Sequence, residues 1–341
     1  MRGSTGSSAS PVPTSPSASA SSSSPARRAS LLLLGAALLS CSAPSAAPPP
    51  GPYLVVLGTA QDGGIPHAAC RCDHCTAARK DPSRARRVAS LGLVVPATGH
   101  RYLVDATPDL REQIEMLPRS AGAPKAGVDR APLDGVLLTH AHVGHYLGLA
   151  FFGFEAVHTH GLTVRATPRM AGFLRGNGPW SRLLAREEIS LVETPPGTAY
   201  ELEPGIRVTP FAVPHRDEDS DTVGYKISGP TRTILYVPDT DGWSTWSPPL
   251  QDVLVGCDVA LLDGTFFDAA ELPGRDVRSI GHPLVPQTMD LLEERVRSGN
   301  ITVFFTHFNH SNPLLDARGD ARRALSRRGF GIAMEGQRLP I

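Results

Sequence analysis

Leu137-Leu138-Thr139-His140-Ala141-His142-Val143-Gly144-His145-Tyr146-Leu147-Gly148-Leu149 places three histidines within six residues. The apolar run Gly135-Val136-Leu137-Leu138 that leads into them reads as a buried strand. A strand that ends in His-x-His sets two imidazoles at one sheet edge. A third histidine three residues later falls in the first turn of a following helix. Neutral imidazole is a borderline ligand that suits zinc, iron and similar metals. The loops at strand ends are where layered folds of helix and sheet expose their chemistry.

The same pattern recurs downstream. Ile206-Arg207-Val208-Thr209-Pro210-Phe211-Ala212-Val213-Pro214 runs into His215. Tyr236-Val237-Pro238 runs into Asp239, Val259-Ala260-Leu261-Leu262 into Asp263, and Ile301-Thr302-Val303-Phe304-Phe305-Thr306 into His307. Chance would scatter these ligand types along the strands. Their repeated place at the ends lets one sheet edge collect them all. Further strands are expected at Tyr53–Ala60, Val88–Val95, Tyr102–Asp105, Leu162–Ala166, Thr222–Ser228 and Thr233–Val237. Pro108 suits the first turn of a helix and Asp109 its dipole. Phe151-Phe152-Gly153-Phe154 is expected to line the floor or mouth of the site, and His158 and His160 to lie on the surface.

The motif resembles the signature of the metallo-β-lactamase superfamily, His-x-His-x-Asp-His after a strand. Here Gly144 stands where that family has aspartate. From about Tyr53 onward the chain resembles two member families in particular. One is pyrroloquinoline quinone biosynthesis protein B, shared in Thr107-Pro108-Asp109-Leu110-Arg111, Asp263-Gly264-Thr265 and Gly281-His282. The other is the phosphodiesterase of phosphonate breakdown. The resemblance implies an α+β fold, an αββα sandwich of two mixed sheets flanked by helices. It implies His140, His142 and His215 for a first metal, and His145, Asp239 and His307 for a second, with Asp239 bridging. It places His282 where it donates a proton or contacts a phosphate; a plain turn residue is the alternative. Gly144 supplies no ligand, so either the second metal is held by His145, Asp239, His307 and water, or one metal binds well. The former is preferred, with weaker hold on the second ion. A glycine is alternatively required there by a positive φ or by close approach of substrate. A missing carboxylate leaves a more positive site, which favours a small anionic substrate.

Cys70-Arg71-Cys72-Asp73-His74-Cys75 has a spacing at which three thiolates converge on one tetrahedral ion, with the fourth ligand from elsewhere. Both related families hold a structural zinc there. The resemblance implies His310, three residues after His307, as the fourth ligand. His74 is the local competitor, and surface cysteines, free or disulfide-paired, remain the alternative.

The chain has 341 residues, with 33 Lys and Arg against 33 Asp and Glu. Zero net charge and no basic arm argue against a nucleic-acid partner. Residues 1–40 read as a signal peptide with a disordered Ser-, Ala- and Pro-rich extension: Arg27-Arg28 precedes a short leucine run. Leu38-Leu39-Ser40-Cys41 resembles a lipoprotein box, which implies lipidation at Cys41, a tether over 41–52 and a metallo-β-lactamase-like domain over 53–341. The protein is therefore expected to be exported and held at the membrane by its lipid alone, facing the periplasm or cell surface. The expected activity is hydrolysis of a phosphodiester or other ester, using water activated by one or two catalytic zinc ions, with manganese or iron as alternatives. The competing expectations are an oxidative role in quinone-cofactor biosynthesis on non-haem iron, and a non-catalytic binding protein.

Overall fold

A computed structural model describes residues 51–341 apart from 121, 272, 273 and 275–280. The targeting segment, Cys41 and most of the tether lie outside the described residues. No helix among the described residues is long and apolar enough to cross a membrane.

Six strands come first: β1 (Tyr53–Gly58), β2 (Ser90–Val95), β3 (His100–Val104), β4 (Gly135–Leu137), β5 (Leu162–Ala166) and β6 (Ile189–Glu193). Seven follow: β7 (Tyr200–Glu203), β8 (Ile206–Ala212), β9 (Val223–Ser228), β10 (Thr233–Val237), β11 (Val259–Asp263), β12 (Thr302–Thr306) and β13 (Gly331–Ile332). The last strand, β14 (Arg338–Pro340), returns to β1. The first sheet has the order β14-β1-β2-β3-β4-β5-β6 and the second β13-β12-β11-β10-β9-β8-β7. Both are mixed. β3 to β6 and β10 to β13 run parallel, and the remaining pairs antiparallel.

Strand periodicity explains the layering. In β1, Leu54 and Val56 face the second sheet and meet a core shared with Val208, Tyr225, Ile234 and Leu261. Tyr53, Val55 and Leu57 point the other way, onto a helix layer. A strand buried on both faces must be apolar throughout, which is why these strands read as unbroken apolar runs. Helices α1 (Asp73–Lys80), α2 (Leu110–Glu115), α3 (Val143–Tyr146), α4 (Pro168–Gly176) and α5 (Trp180–Ala185) belong to the first half. Met170, Leu174 and Leu183 of α4 and α5 cover the outer face of the first sheet. Helices α6 (Leu250–Val253), α7 (Val285–Arg297) and α8 (Asp320–Arg327) belong to the second half, and Leu250, Met289 and Leu325 cover its sheet. The result is the expected αββα sandwich.

Asp109 stands at the N-cap of α2, where its charge suits the helix dipole; its carboxylate makes no cap hydrogen bond but accepts the Val88 N–H at 2.8 Å and ties the start of α2 back to the chain before β2. One local expectation fails. The phenylalanines after the motif do not line the site. The chain continues from α3 into a 3₁₀ helix, Leu147–Phe152, which turns Leu149 and Phe152 into the outer core, while Phe154 is 57% exposed. His158 is half-buried and His160 exposed.

Candidate metal centre

The carboxyl ends of β4, β8, β10, β11 and β12 meet at one edge of the sandwich, where layered folds expose their loops. There the chain brings together His140, His142, His215 and Asp239 in one group, and Asp62, His145 and His307 in a second beside it. All the residues expected for the two ions are present, and Asp62 joins them.

Hydrogen bonds hold the backbone leading to the motif. Thr139 N–H donates to Asp105 Oδ1 at 2.8 Å, Val223 N–H to the Thr139 carbonyl at 3.0 Å, and Ala141 N–H to Ser220 Oγ at 2.8 Å. Tyr225 donates its hydroxyl to the Leu138 carbonyl. A side chain at Gly148 would place Cβ 2.1 Å from the Thr107 carbonyl oxygen, so only glycine lets the turn after α3 approach the segment that follows β3. Asp105 and His307 both adopt φ near +65°, costly for residues other than glycine.

The outer nitrogens decide what the inner ones can do. Thr139 Oγ donates its proton to Asp105, so it accepts from His140 Nδ1 at 2.9 Å. Asp105 Oδ2 takes His145 Nδ1–H at 2.8 Å, Asp241 takes His215 Nδ1–H at 3.2 Å, and Thr265 Oγ accepts from His307 Nδ1 at 3.0 Å while donating to the His307 carbonyl. Each of these rings, when neutral, therefore turns a bare Nε2 lone pair inward. His142 is reversed, with Nδ1 inward, 2.9 Å from His140 Nε2, and Nε2 toward Glu218 at 3.4 Å. Asp239 lies between the groups. Its Oδ1 is 3.2 Å from His215 Nε2, and its Oδ2 is 3.3 Å from His140 Nε2, 4.0 Å from His145 Nε2 and 3.8 Å from His307 Nε2.

Acceptors thus face acceptors in a buried space. His145 Nε2 and His307 Nε2 are buried with no hydrogen-bond partner among the described residues. Such groups are costly unless something binds them. The donor set, all imidazole and carboxylate, fits divalent zinc, manganese or iron. In the metal-free chain, protons meet part of that demand. Burial works against a charged His145, yet Asp105, Asp62 and Asp239 outweigh it and raise its pKa to about 9. Burial, helped by the His145 charge, pushes His140 well down. Asp239 is held well below the usual carboxylate range by His307, His215 and His282 despite its burial.

His282 stands beside this centre. Its Nδ1–H is 2.8 Å from Asp263 Oδ2 and 3.3 Å from Asp239 Oδ1. Burial opposes its charge, but Asp263 and Asp239 raise it to about 9. Asp263 in turn accepts the N–H groups of Thr240 and Thr265. His282 also lines a cavity of about 570 Å³ with Trp243, Ser244, Thr245 and Gln287.

At the far end of the β1–α1 loop, Cys70, Cys72, Cys75 and His310 converge, their ligand atoms all within 4.8 Å of one another. His310 Nδ1 is 3.5 Å from both Cys70 Sγ and Cys72 Sγ. His74 stands outside the group, with Nδ1 3.1 Å from the His310 carbonyl. Burial raises the Cys75 thiol to about 12, aided by its two neighbouring sulfurs. A buried thiol of that kind is inert until a cation displaces its proton, and the four donors fit a tetrahedral zinc.

Sequence reasoning missed Asp62, Asp105 and Asp241. Asp105 closes the strand Tyr102–Asp105 in the same manner as Asp239 and Asp263, so its signal was present. Asp62 places a carboxylate beside the position where Gly144 has none.

A family model described as a β-lactamase superfamily domain matches residues 100–308. Coenzyme PQQ synthesis protein B of Methylobacterium sp. (strain 4-46) is 30% identical over 311 residues, covering 84% of this chain and 99% of that protein. Among solved structures, Zn²⁺-bound PqqB from Methylobacterium extorquens superposes with a TM-score of 0.71 at 25% identity, over 85% of this chain and all of that one. A diphosphatase of the PhnP family shares the fold, with a TM-score of 0.60 at 20% identity over 85% of this chain and 97% of that one.

Proposed function

The chain belongs to the β-lactamase superfamily, and from that footing we propose that it is a metal-dependent hydrolase of a phosphodiester or another ester. What supports this is the ring of inward lone pairs around Asp239, which suits a cation pair. His140, His142 and His215 would hold one ion and His145 and His307 the other, with Asp239 shared. Bound there, divalent ions polarise an ester or phosphoryl oxygen and bring the pKa of water near neutrality. The chain's own residues do the rest. Asp105, Asp241, Thr139 and Thr265 fix the tautomer and aim of each imidazole. Asp263 holds His282 by Nδ1, which leaves Nε2 to give a proton to the leaving oxygen. His140, His145, His215, Asp239 and His307 are buried, which keeps bulk water from most of the ring, while His142 stands at its open side.

A second function is supported by one observation, the near-complete coverage of coenzyme PQQ synthesis proteins. Imidazole and carboxylate also hold non-haem iron. Metal analysis of protein purified without added metal, with phosphodiester, lactone and β-lactam substrates assayed with and without oxygen, separates the two. Zinc or manganese with oxygen-independent hydrolysis is expected. His282→Gln should then lower kcat by about 10²–10⁴ with metal content unchanged. Iron with turnover only in oxygen would overturn the hydrolase assignment, and a fully metallated protein inert to every substrate would favour a binding role.

We further propose export and lipid anchoring through Cys41, supported by the Leu38-Leu39-Ser40-Cys41 box after Arg27-Arg28 and the leucine run. Mass spectrometry of the membrane fraction is expected to find a diacylglyceryl cysteine at the mature N-terminus; a mature form starting elsewhere would contradict this.

A further inference from the structure

We infer that Asp62 is the carboxylate of the second ion's site, supplied from the cysteine loop in place of the motif position that Gly144 leaves empty, and that the cysteine cluster sets its position through His67. The inference deepens the metal-centre assignment above and rests on it.

Three observations carry it. Asp62 Oδ1 accepts the Gly144 N–H at 3.1 Å and lies 3.7 Å from His145 Nε2. An ideal Cβ on Gly144 would sit 2.2 Å from Asp62 Oδ1 and 2.7 Å from Asp62 Cα, so Asp62 occupies the space where a side chain at 144 would begin. Gly144 has no positive φ among the described backbone angles, so close approach, not conformation, is what requires glycine there. The buried, unpartnered His145 Nε2 and His307 Nε2 complete the group with Asp62.

The loop that delivers Asp62 is tied at both ends to the chain around His307. On one side Gln61 N–H donates to the Phe308 carbonyl at 2.9 Å, and Phe308 N–H to the Thr59 carbonyl at 2.7 Å. On the other, Cys70, Cys72 and Cys75 meet His310. His67 spans the gap. Its N–H donates to Cys75 Sγ at 3.2 Å, and its ring packs 4.8 Å from the His310 ring. The same ring fills the space over Gly63, where a Cβ would lie 2.3 Å from it. Arg79 clamps the turn by donating to the His67 and Cys70 carbonyls. A contact chain of His310, His67 and Gly63 therefore reaches the residue next to Asp62.

Zinc titration of the metal-stripped full chain, read by calorimetry and by ions per chain in native mass spectrometry, tests both parts. Asp62→Asn is expected to weaken the last ion by at least about tenfold and leave the cluster ion in place. Gly144→Asp, with Asp62 kept, is expected to lose that ion too, because the two side chains compete for one space. His67→Ala keeps every ligand and is expected to weaken the last ion about fivefold or more. An unchanged affinity in Asp62→Asn, or a gain in Gly144→Asp, would overturn the ligand assignment. Weakening in Asp62→Asn with none in His67→Ala would overturn the coupling. A parent chain that takes up the cluster ion alone would overturn the metal-centre assignment itself, and the inference with it.

Discussion

Asp239→Asn should empty the active centre while leaving the fold standing. Among the described residues, Asp239 is the carboxylate within 4.0 Å of inward nitrogens from both groups. Changes to groups that merely orient metal ligands cost about 10–100-fold in affinity, so loss of a shared, charged ligand should cost more than about a hundredfold. The fold should tolerate the change at a modest cost. In the absence of a cation, Asp239 is 3% exposed and its charge is matched by the His145 and His282 rings, whose protons it helps to hold. The Asn amide keeps the shape and can still accept from His282, but it gives up that charge pairing. Metal-free Asp239→Asn is therefore expected to melt somewhat earlier than the metal-free parent, still in one cooperative transition. Ion counting and thermal melting check this together. Retained active-centre ions would contradict the bridging role, and failure to fold would point to a structural role for Asp239 instead.

Cys72→Ser should act in the opposite way, with a large cost to stability. Structural zinc contributes folding free energy outright, about 10–16 kcal/mol in isolated zinc-finger peptides. Here the loop is anchored on a large core, so that figure is an upper limit. A loss of about 4 kcal/mol is the scale at which metal removal stands apart from ordinary substitutions. In a domain of this size that corresponds to roughly 10 °C in Tm. The loss of the cluster ion should also reach Asp62, so the last active-centre ion should weaken in the same variant. A Cys72→Ser protein that melts with the parent and keeps its full zinc would show that the four residues hold no structural ion.

The strands and most of the centre were legible because each carries its own local signal. An apolar run that ends in His or Asp needs no tertiary knowledge, and β4, β8, β10, β11 and β12 each have one. The carboxylate at Gly144 was illegible for the opposite reason. Asp62 lies 82 residues before Gly144, in a loop whose Gly63-Gly64 pair reads only as a turn. Its approach depends on the register of β1 against the chain after β12, which no local pattern encodes. The phenylalanines after the motif misled because apolar residues near a site suit its wall and the outer core equally; the 3₁₀ turn from Leu147 settles which.

The account centres on one claim, that the sheet edge holds two ions sharing Asp239 and the cysteine loop holds a third. Native mass spectrometry of the zinc-loaded parent chain tests it most directly. Three ions per chain are expected, with a single ion remaining in Asp239→Asn; a parent that carries one ion at every zinc concentration would contradict it.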